Sequence, residues 1–269
     1  MRTLRLAGCL WMLLWIALAL PVSARDRGAD GNFNERQSRH FLLLQDVDID
    51  RYTGLDGSRK FERDVLAVLE AAYDDVRDVL DVDPGGRTRV IIYDAGVYDR
   101  QFAGLFGFRS AGFYDGAIHV RAGSRVDTPL ARTLHHEYVH AALSARLGRG
   151  RLPAWLNEGL AEYFERPFGY RGLTAGELAV LRRAIASGAW IPITSLSGTA
   201  LGHLDANSAS LAYLQAFAMI DHLVRIGGPK SLERLCEQIG RSGEIAAALK
   251  RTYRADLAAL EQGLIEGLR

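Results

Sequence analysis

Residues 135–140 read His-His-Glu-Tyr-Val-His, which places His136, Glu137 and His140 at i, i+1 and i+4 of one short stretch. The surrounding residues, from Thr128 to about Leu147, have helical spacing, and Thr128-Pro129 supplies an N-cap followed by a proline at the first helical position. On a helix, i and i+4 project from one face, so His136 and His140 can offer two imidazole nitrogens to a single metal ion. Glu137 sits about 100° further round. That is too far for the natural third ligand, but near enough to take a proton from water at the ion. Such a site constrains the fold strongly, because the missing donor must come from another element laid against this helix.

The next stretch supplies it. Pro153-Ala154-Trp155-Leu156-Asn157-Glu158-Gly159-Leu160-Ala161-Glu162 begins thirteen residues after His140. Gly148 and Gly150 in the intervening loop let the chain reverse, so a second helix can lie beside the first. Glu158 is the expected third ligand. Two histidines and one carboxylate leave a fourth tetrahedral position open, as in catalytic rather than structural zinc sites. Glu162, one turn later on the same face, is placed to hold the outer nitrogen of a ligating histidine. His135, at i+5 from His140, packs elsewhere, and Glu165 reads as a solvated charge at the helix end.

His136-Glu137-x-x-His140 with Asn157-Glu158-Gly159-Leu160-Ala161 downstream resembles the gluzincin metallopeptidases of the thermolysin-like superfamily, in particular small bacterial exported members. The resemblance is firm over about 125–166 and weaker from Gly112 to about Gly228. It implies a zincin-like α+β fold and Zn2+ held by His136, His140 and Glu158, with Glu137 as general base. It also implies that the strand following Asp115-Gly116 borders the cleft and pairs with an extended peptide. Members of the family place a Tyr or His from a later helix near the developing oxyanion; Tyr213 is the first candidate here and His203 the second. The Gly-x-Met-Glu-Asn segment of the aminopeptidase branch is absent, which points towards an endopeptidase. Aminopeptidase action and a non-catalytic, zinc-stabilised binding or chaperone-like module are the alternatives.

Elsewhere, Phe41–Gln45 and Arg89–Tyr93 read as strands, and Phe113 to Val120 as a hairpin turning at Asp115-Gly116. His119 on that hairpin reads as a solvent-facing strand residue. Apolar residues from Phe61 to Leu80 recur at helical spacing, giving a helix over roughly 58–81. Thr174 with Glu177 forms a capping box opening a helix to about Gly188, and helices follow near 208–226, 229–239, 242–251 and 254–268. A strand-containing N-terminal lobe (about 40–147) is thus followed by a mostly helical one (about 148–269), within a single domain over 40–269.

Residues 1–24 are set apart by Arg2 and Arg5, an apolar run from Leu6 to Leu20, and small residues up to Ala24, a pattern that reads as a cleaved secretory signal peptide. The run falls short of the roughly 20 residues that span a bilayer. The expected location is therefore periplasmic or secreted, with no membrane span after cleavage. Residues 25–39 read as a flexible leader. Cleavage removes Cys9 and leaves Cys236 alone in an apolar helical pattern, as a buried thiol. The whole chain carries 33 Lys+Arg against 32 Asp+Glu. A balance that even, with no basic block, argues against a nucleic-acid partner and leaves a peptide or protein as the expected substrate.

Overall fold

The computed structural model describes residues 31–49, 57–107, 110–149, 151–167, 171–198, 201 and 204–269. Residues 1–24, expected to be a signal peptide, residues 25–30 of the expected leader and His203 lie outside them. The fold is α+β: a small mixed sheet in the N-terminal part, then helices.

Five strands form the sheet, β1 (Asn34–Gln37), β2 (Phe41–Asp46), β3 (Thr88–Asp94), β4 (Gly112–Tyr114) and β5 (Ile118–Ala122), in the order β1-β2-β3-β5-β4. β2, β3 and β5 run parallel to one another, and β1 and β4 close the two edges antiparallel. Period-2 alternation sends Phe41, Leu43, Val90, Ile92, Ile118 and Val120 into the core, where each is fully buried. That face is covered by α1 (Gly57–Leu80) and α3 (Thr128–Leu147), with Phe41 edge-on to Tyr138 of α3 at 5.3 Å. The short helix α2 (Ala95–Gln101) follows β3 and contacts β3 and β5.

Residues 34–37, expected within the flexible leader, are paired with β2 from Asn34↔Gln45 to Gln37↔Leu42. A polar edge strand with only one buried neighbour lacks the apolar alternation by which strands are recognised. The cap of α3 also differs by one residue. Asp127, not Thr128, accepts from Leu130 N at 2.9 Å, and Pro129 sits within the first turn. A carboxylate there satisfies an orphan N–H and complements the helix dipole.

The helical part comprises α4 (Ala154–Phe164), α5 (Ala175–Ser187), a 3-10 turn (Ile193–Leu196), α6 (Ala206–Gly227), α7 (Lys230–Ser242), α8 (Ile245–Tyr253) and α9 (Leu257–Leu268). The capping box of α5 forms as expected. α4 lies against α3, α1 and, most intimately, α6. Gly159 makes that approach possible: a Cβ on it would meet the Ala216 carbonyl oxygen at 2.5 Å and Ile220 Cγ1 at 2.8 Å. On the far side of α6, fully buried Gln215 donates from Nε2 to Ile191 O (2.8 Å) and accepts from Ile191 N (3.1 Å). Cys236 is buried in α7, which pushes its thiol up to about 12.

Candidate active site

α3 presents His136 and His140 one turn apart, their rings 4.9 Å between centroids and nearly perpendicular. Reversal at Gly148, which has a positive φ of 89°, brings α4 back so that Glu158 faces both rings. Glu158 Oε2 lies 3.4 Å from His136 Nε2 and 3.3 Å from His140 Nε2. A tetrahedral ion with bonds of about 2.0–2.1 Å spaces its ligand atoms about 3.3–3.4 Å apart. Glu158 Oε2 therefore stands from each imidazole nitrogen at the separation such an ion requires, and a set of two imidazoles and a carboxylate suits zinc.

The electrostatics point the same way. Burial would raise Glu158, but His140 and His136 beside it hold the carboxyl well below the usual range. Burial would likewise lower His136, yet hydrogen bonds to Glu158 and Glu165 raise it well above its ordinary value. The point between the three side chains favours positive charge, a preference that a divalent cation satisfies as a proton does.

Glu137 is buried, and its Oε2 has no hydrogen-bond partner among the described residues. Burial raises its pKa above 4.5 against the lowering pull of His136 and His140, so it is a stronger proton acceptor than an ordinary carboxylate. Gly112 of β4 lets the sheet edge come against this residue: a Cβ there would meet Thr133 Cγ2 at 2.8 Å and Glu137 Cγ at 3.0 Å.

Tyr213 of α6 lines the cleft, its ring 6.4 Å from that of His136. Burial pushes its phenol far up, as do the carboxylates Glu158, Glu137 and Glu162, so it stays a hydrogen-bond donor. His140 Nδ1 is buried without a partner among the described residues.

The outer nitrogen of His136 is held by a residue that the spacing argument passed over. His136 Nδ1 donates to Glu165 Oε2 at 3.2 Å, leaving the Nε2 lone pair free to ligate. Glu165 also accepts from Arg132, through Nε at 3.1 Å and through Nη2. This corrects the assignment of that hydrogen bond to Glu162 and the picture of Glu165 as a solvated charge; the Glu165 side chain is only 11% exposed. The reason is angular. Seven residues bring a helix back to within about 20° of its starting direction, whereas four overshoot by about 40°. Glu162 shares the neighbourhood but makes no hydrogen bond to His136; burial, and then Glu165, raise it to about 7. Arg132, at i−4 from His136, was legible by the same periodicity but had no partner to suggest it.

Two further differences concern the hairpin. The strand after Asp115-Gly116 is β5, which is paired on both sides, so it has no free edge for a peptide. The strand bordering the cleft is β4, before the turn, with Gly112, Phe113 and Tyr114 in the cleft wall. His119 is not solvent-facing. It stacks on Phe113 at 4.6 Å and is hydrogen-bonded through Nδ1 to Tyr93 Oη (2.9 Å) and through Nε2 to Asp115 Oδ1 (3.1 Å). His135 bonds back to Ala131 O and stays out of the cluster.

The cleft has two arms, of about 380 and 690 Å3, that share Ser110, Gly112, His136, Glu137 and Tyr213. The family model described as the Peptidase MA superfamily matches residues 89–266, from β3 into the last helix. A search of curated proteins returned no match.

Proposed function

We propose, for a chain that belongs to the Peptidase MA superfamily, a zinc-dependent endopeptidase of the gluzincin type. The observation that supports it best is the Glu158 oxygen at 3.3–3.4 Å from two imidazole nitrogens, beside a buried carboxylate with one oxygen unpartnered among the described residues. His136, His140 and Glu158 are the residues that would hold the ion. Zinc bound there supplies Lewis-acid polarisation of a carbonyl and acidifies water.

The protein's own groups do the rest. The free edge of β4 takes an extended peptide by backbone hydrogen bonds and lays its carbonyl across the cleft. Glu137 accepts a proton from the attacking water and passes it to the departing amine nitrogen. Tyr213 donates to the oxygen on which negative charge develops, a contribution worth a factor of about 10²–10³. Glu165, braced by Arg132, fixes the tautomer and orientation of His136. Arms on both sides of the reacting point leave room for chain in both directions, which favours cleavage within a peptide over cleavage at its end.

Export by Met1–Ala24 belongs to the same proposal, and among the described residues no helix is long and apolar enough to cross a membrane. Mass spectrometry of protein recovered from an expressing bacterium should find Arg25 at the amino terminus.

The deciding experiment is the pair of wild type and Glu137→Gln. Both should bind one equivalent of zinc, and only the wild type should cleave a peptide library, acetylated and free N-termini alike. Zinc binding without cleavage by the wild type would replace this reading with a zinc-stabilised module. Cleavage confined to free N-termini would make it an aminopeptidase.

A further inference from the structure

We propose that Glu162 recognises a cationic nitrogen of the substrate, the side chain of a lysine or arginine next to the scissile bond, in the larger arm of the cleft. The inference rests on the peptide-hydrolase reading above.

Arg132, Arg166, Glu137, Glu162, Glu165 and Glu177 line that arm. Arg132 is committed to Glu165. Arg166 is committed to Glu177 through both terminal nitrogens, at 3.3 and 2.6 Å, and its guanidinium lies 3.6 Å above the ring centre of Phe217. Each arginine is thus matched by one carboxylate, and one oxygen of Glu165 is further occupied by His136. Two carboxylates are left over: Glu137, assigned above to the attacking water, and Glu162, which makes no hydrogen bond or ion pair to a described residue.

The position of Glu162 gives that surplus a use. One of its oxygens lies within 4.8 Å of both a His136 ring nitrogen and a Glu165 oxygen, immediately behind the proposed ligand set. Glu137, 5% exposed and with its Oε2 unpartnered, lines the same arm, so the reacting bond lies at the mouth of this space. A half-buried carboxylate beside a second carboxylate is favoured in its charged form when a cation stands opposite. Each arginine already holds its own carboxylate, and no ion pair joins either of them to Glu162. A lysine or arginine on the substrate can supply that cation, because its long apolar stem passes along the cleft wall while the charged end reaches Glu162. A second metal ion is the weaker occupant, since Glu165 already accepts from both Arg132 and His136.

The test uses fluorogenic peptides, acetylated and amidated, that differ by lysine against norleucine at one position, scanned on both sides of the cleaved bond. The wild type should prefer lysine at one position by about 10- to 100-fold in kcat/KM, as a charge-assisted hydrogen bond provides. Glu162→Gln should bring that ratio to within a factor of about three of unity. Because the readout is a ratio on one enzyme, any general loss of activity cancels.

A wild type indifferent to lysine at every position, or a Glu162→Gln protein with the preference intact, would overturn the proposal. So would a second equivalent of zinc per chain that Glu162→Gln removes. Binding of the same peptide pair to Glu137→Gln and to the Glu137→Gln/Glu162→Gln double variant gives the ratio without turnover. If the wild type cleaves nothing, the hydrolase reading fails, and the binding ratio still decides Glu162. Should only peptides with a free amino terminus show the preference, the cation is that terminus; Glu162 keeps its role and the endopeptidase reading is lost.

Discussion

Gly159→Ala adds one methyl group at the contact on which the site geometry rests. The new Cβ would lie 2.5 Å from the Ala216 carbonyl oxygen, in the backbone of α6, and 2.8 Å from Ile220 Cγ1. Ordinary contact begins near 3.4 Å, so α4 and α6 must separate by close to an ångström at this point. Overpacking of this kind costs about 1–3 kcal/mol, and the better helix propensity of alanine returns at most about 1 kcal/mol. Because the clash is with helix backbone, the cost lies in the upper part of that range, and the net loss is about 1–2 kcal/mol, or a fall in Tm of about 2–8 °C for a chain of this size. Because α4 carries Glu158 and α6 carries Tyr213, kcat/KM for peptide hydrolysis should fall as well, by about 10- to 100-fold.

Gly176→Ala is the control. Gly176 lies in the first turn of α5, and a Cβ there meets nothing within 4 Å. The same substitution should stabilise there by up to about 1 kcal/mol and leave hydrolysis unchanged. Calorimetric melts of the two variants in parallel read the sign of each effect. If both substitutions stabilise, the close approach of α4 and α6 does not constrain Gly159 and the reasoning fails.

Three other changes test other parts of the site. Glu165→Gln removes the charge on the outer nitrogen of His136 and should weaken zinc binding by about 10- to 100-fold, measured by competition with a chelating dye; unchanged affinity would return Glu165 to a surface role. Tyr213→Phe should lower kcat by about 10²–10³ with zinc content unaltered, and a comparable rise in KM alone would assign the hydroxyl to ground-state binding. Glu177 is pulled below its ordinary 4.5 because hydrogen bonds from Arg166 and Thr174 outweigh burial. A depressed carboxyl contributes its stability in full above the unfolded value and loses it as pH falls through the folded one. Glu177→Gln should therefore lower Tm at pH 7 and converge with the wild type as the pH falls below 4.5, and parallel curves in that range would remove Glu177 from the account.

The site was legible where it depended on periodicity within one element. His136 and His140 share a face because they are four apart, and Glu158 meets them because Gly148 turns the chain; both follow from spacing and turn residues. Glu165 was missed because choosing between i+4 and i+7 depends on how deep α4 lies beside α3, which spacing alone does not reveal. The cleft strand was misplaced for a related reason. A hairpin announces two strands but not which of them lies at the sheet edge, and here the parallel pairing of β5 with β3 puts β4 outside. β1 and α2 escaped notice because one is polar and the other spans seven residues, too few for an apolar period to show.

The amide of Gln215 bears on the proposed role of Tyr213 from the other side of α6. Two residues along a helix amount to about 200° of rotation, so Gln215 and Tyr213 point to nearly opposite sides of α6. By accepting from the N–H and donating to the C=O of Ile191, the Gln215 side chain takes the place of a peptide unit in a neighbouring strand. The segment ahead of the 3-10 turn is in turn pinned to the last helix, through Trp190 Nε1 and Ile193 N, both donating to Glu261. α6 is thereby keyed against rolling about its own axis, and the aim of the Tyr213 hydroxyl is set from the opposite side of the helix by a carboxylate near the end of the chain.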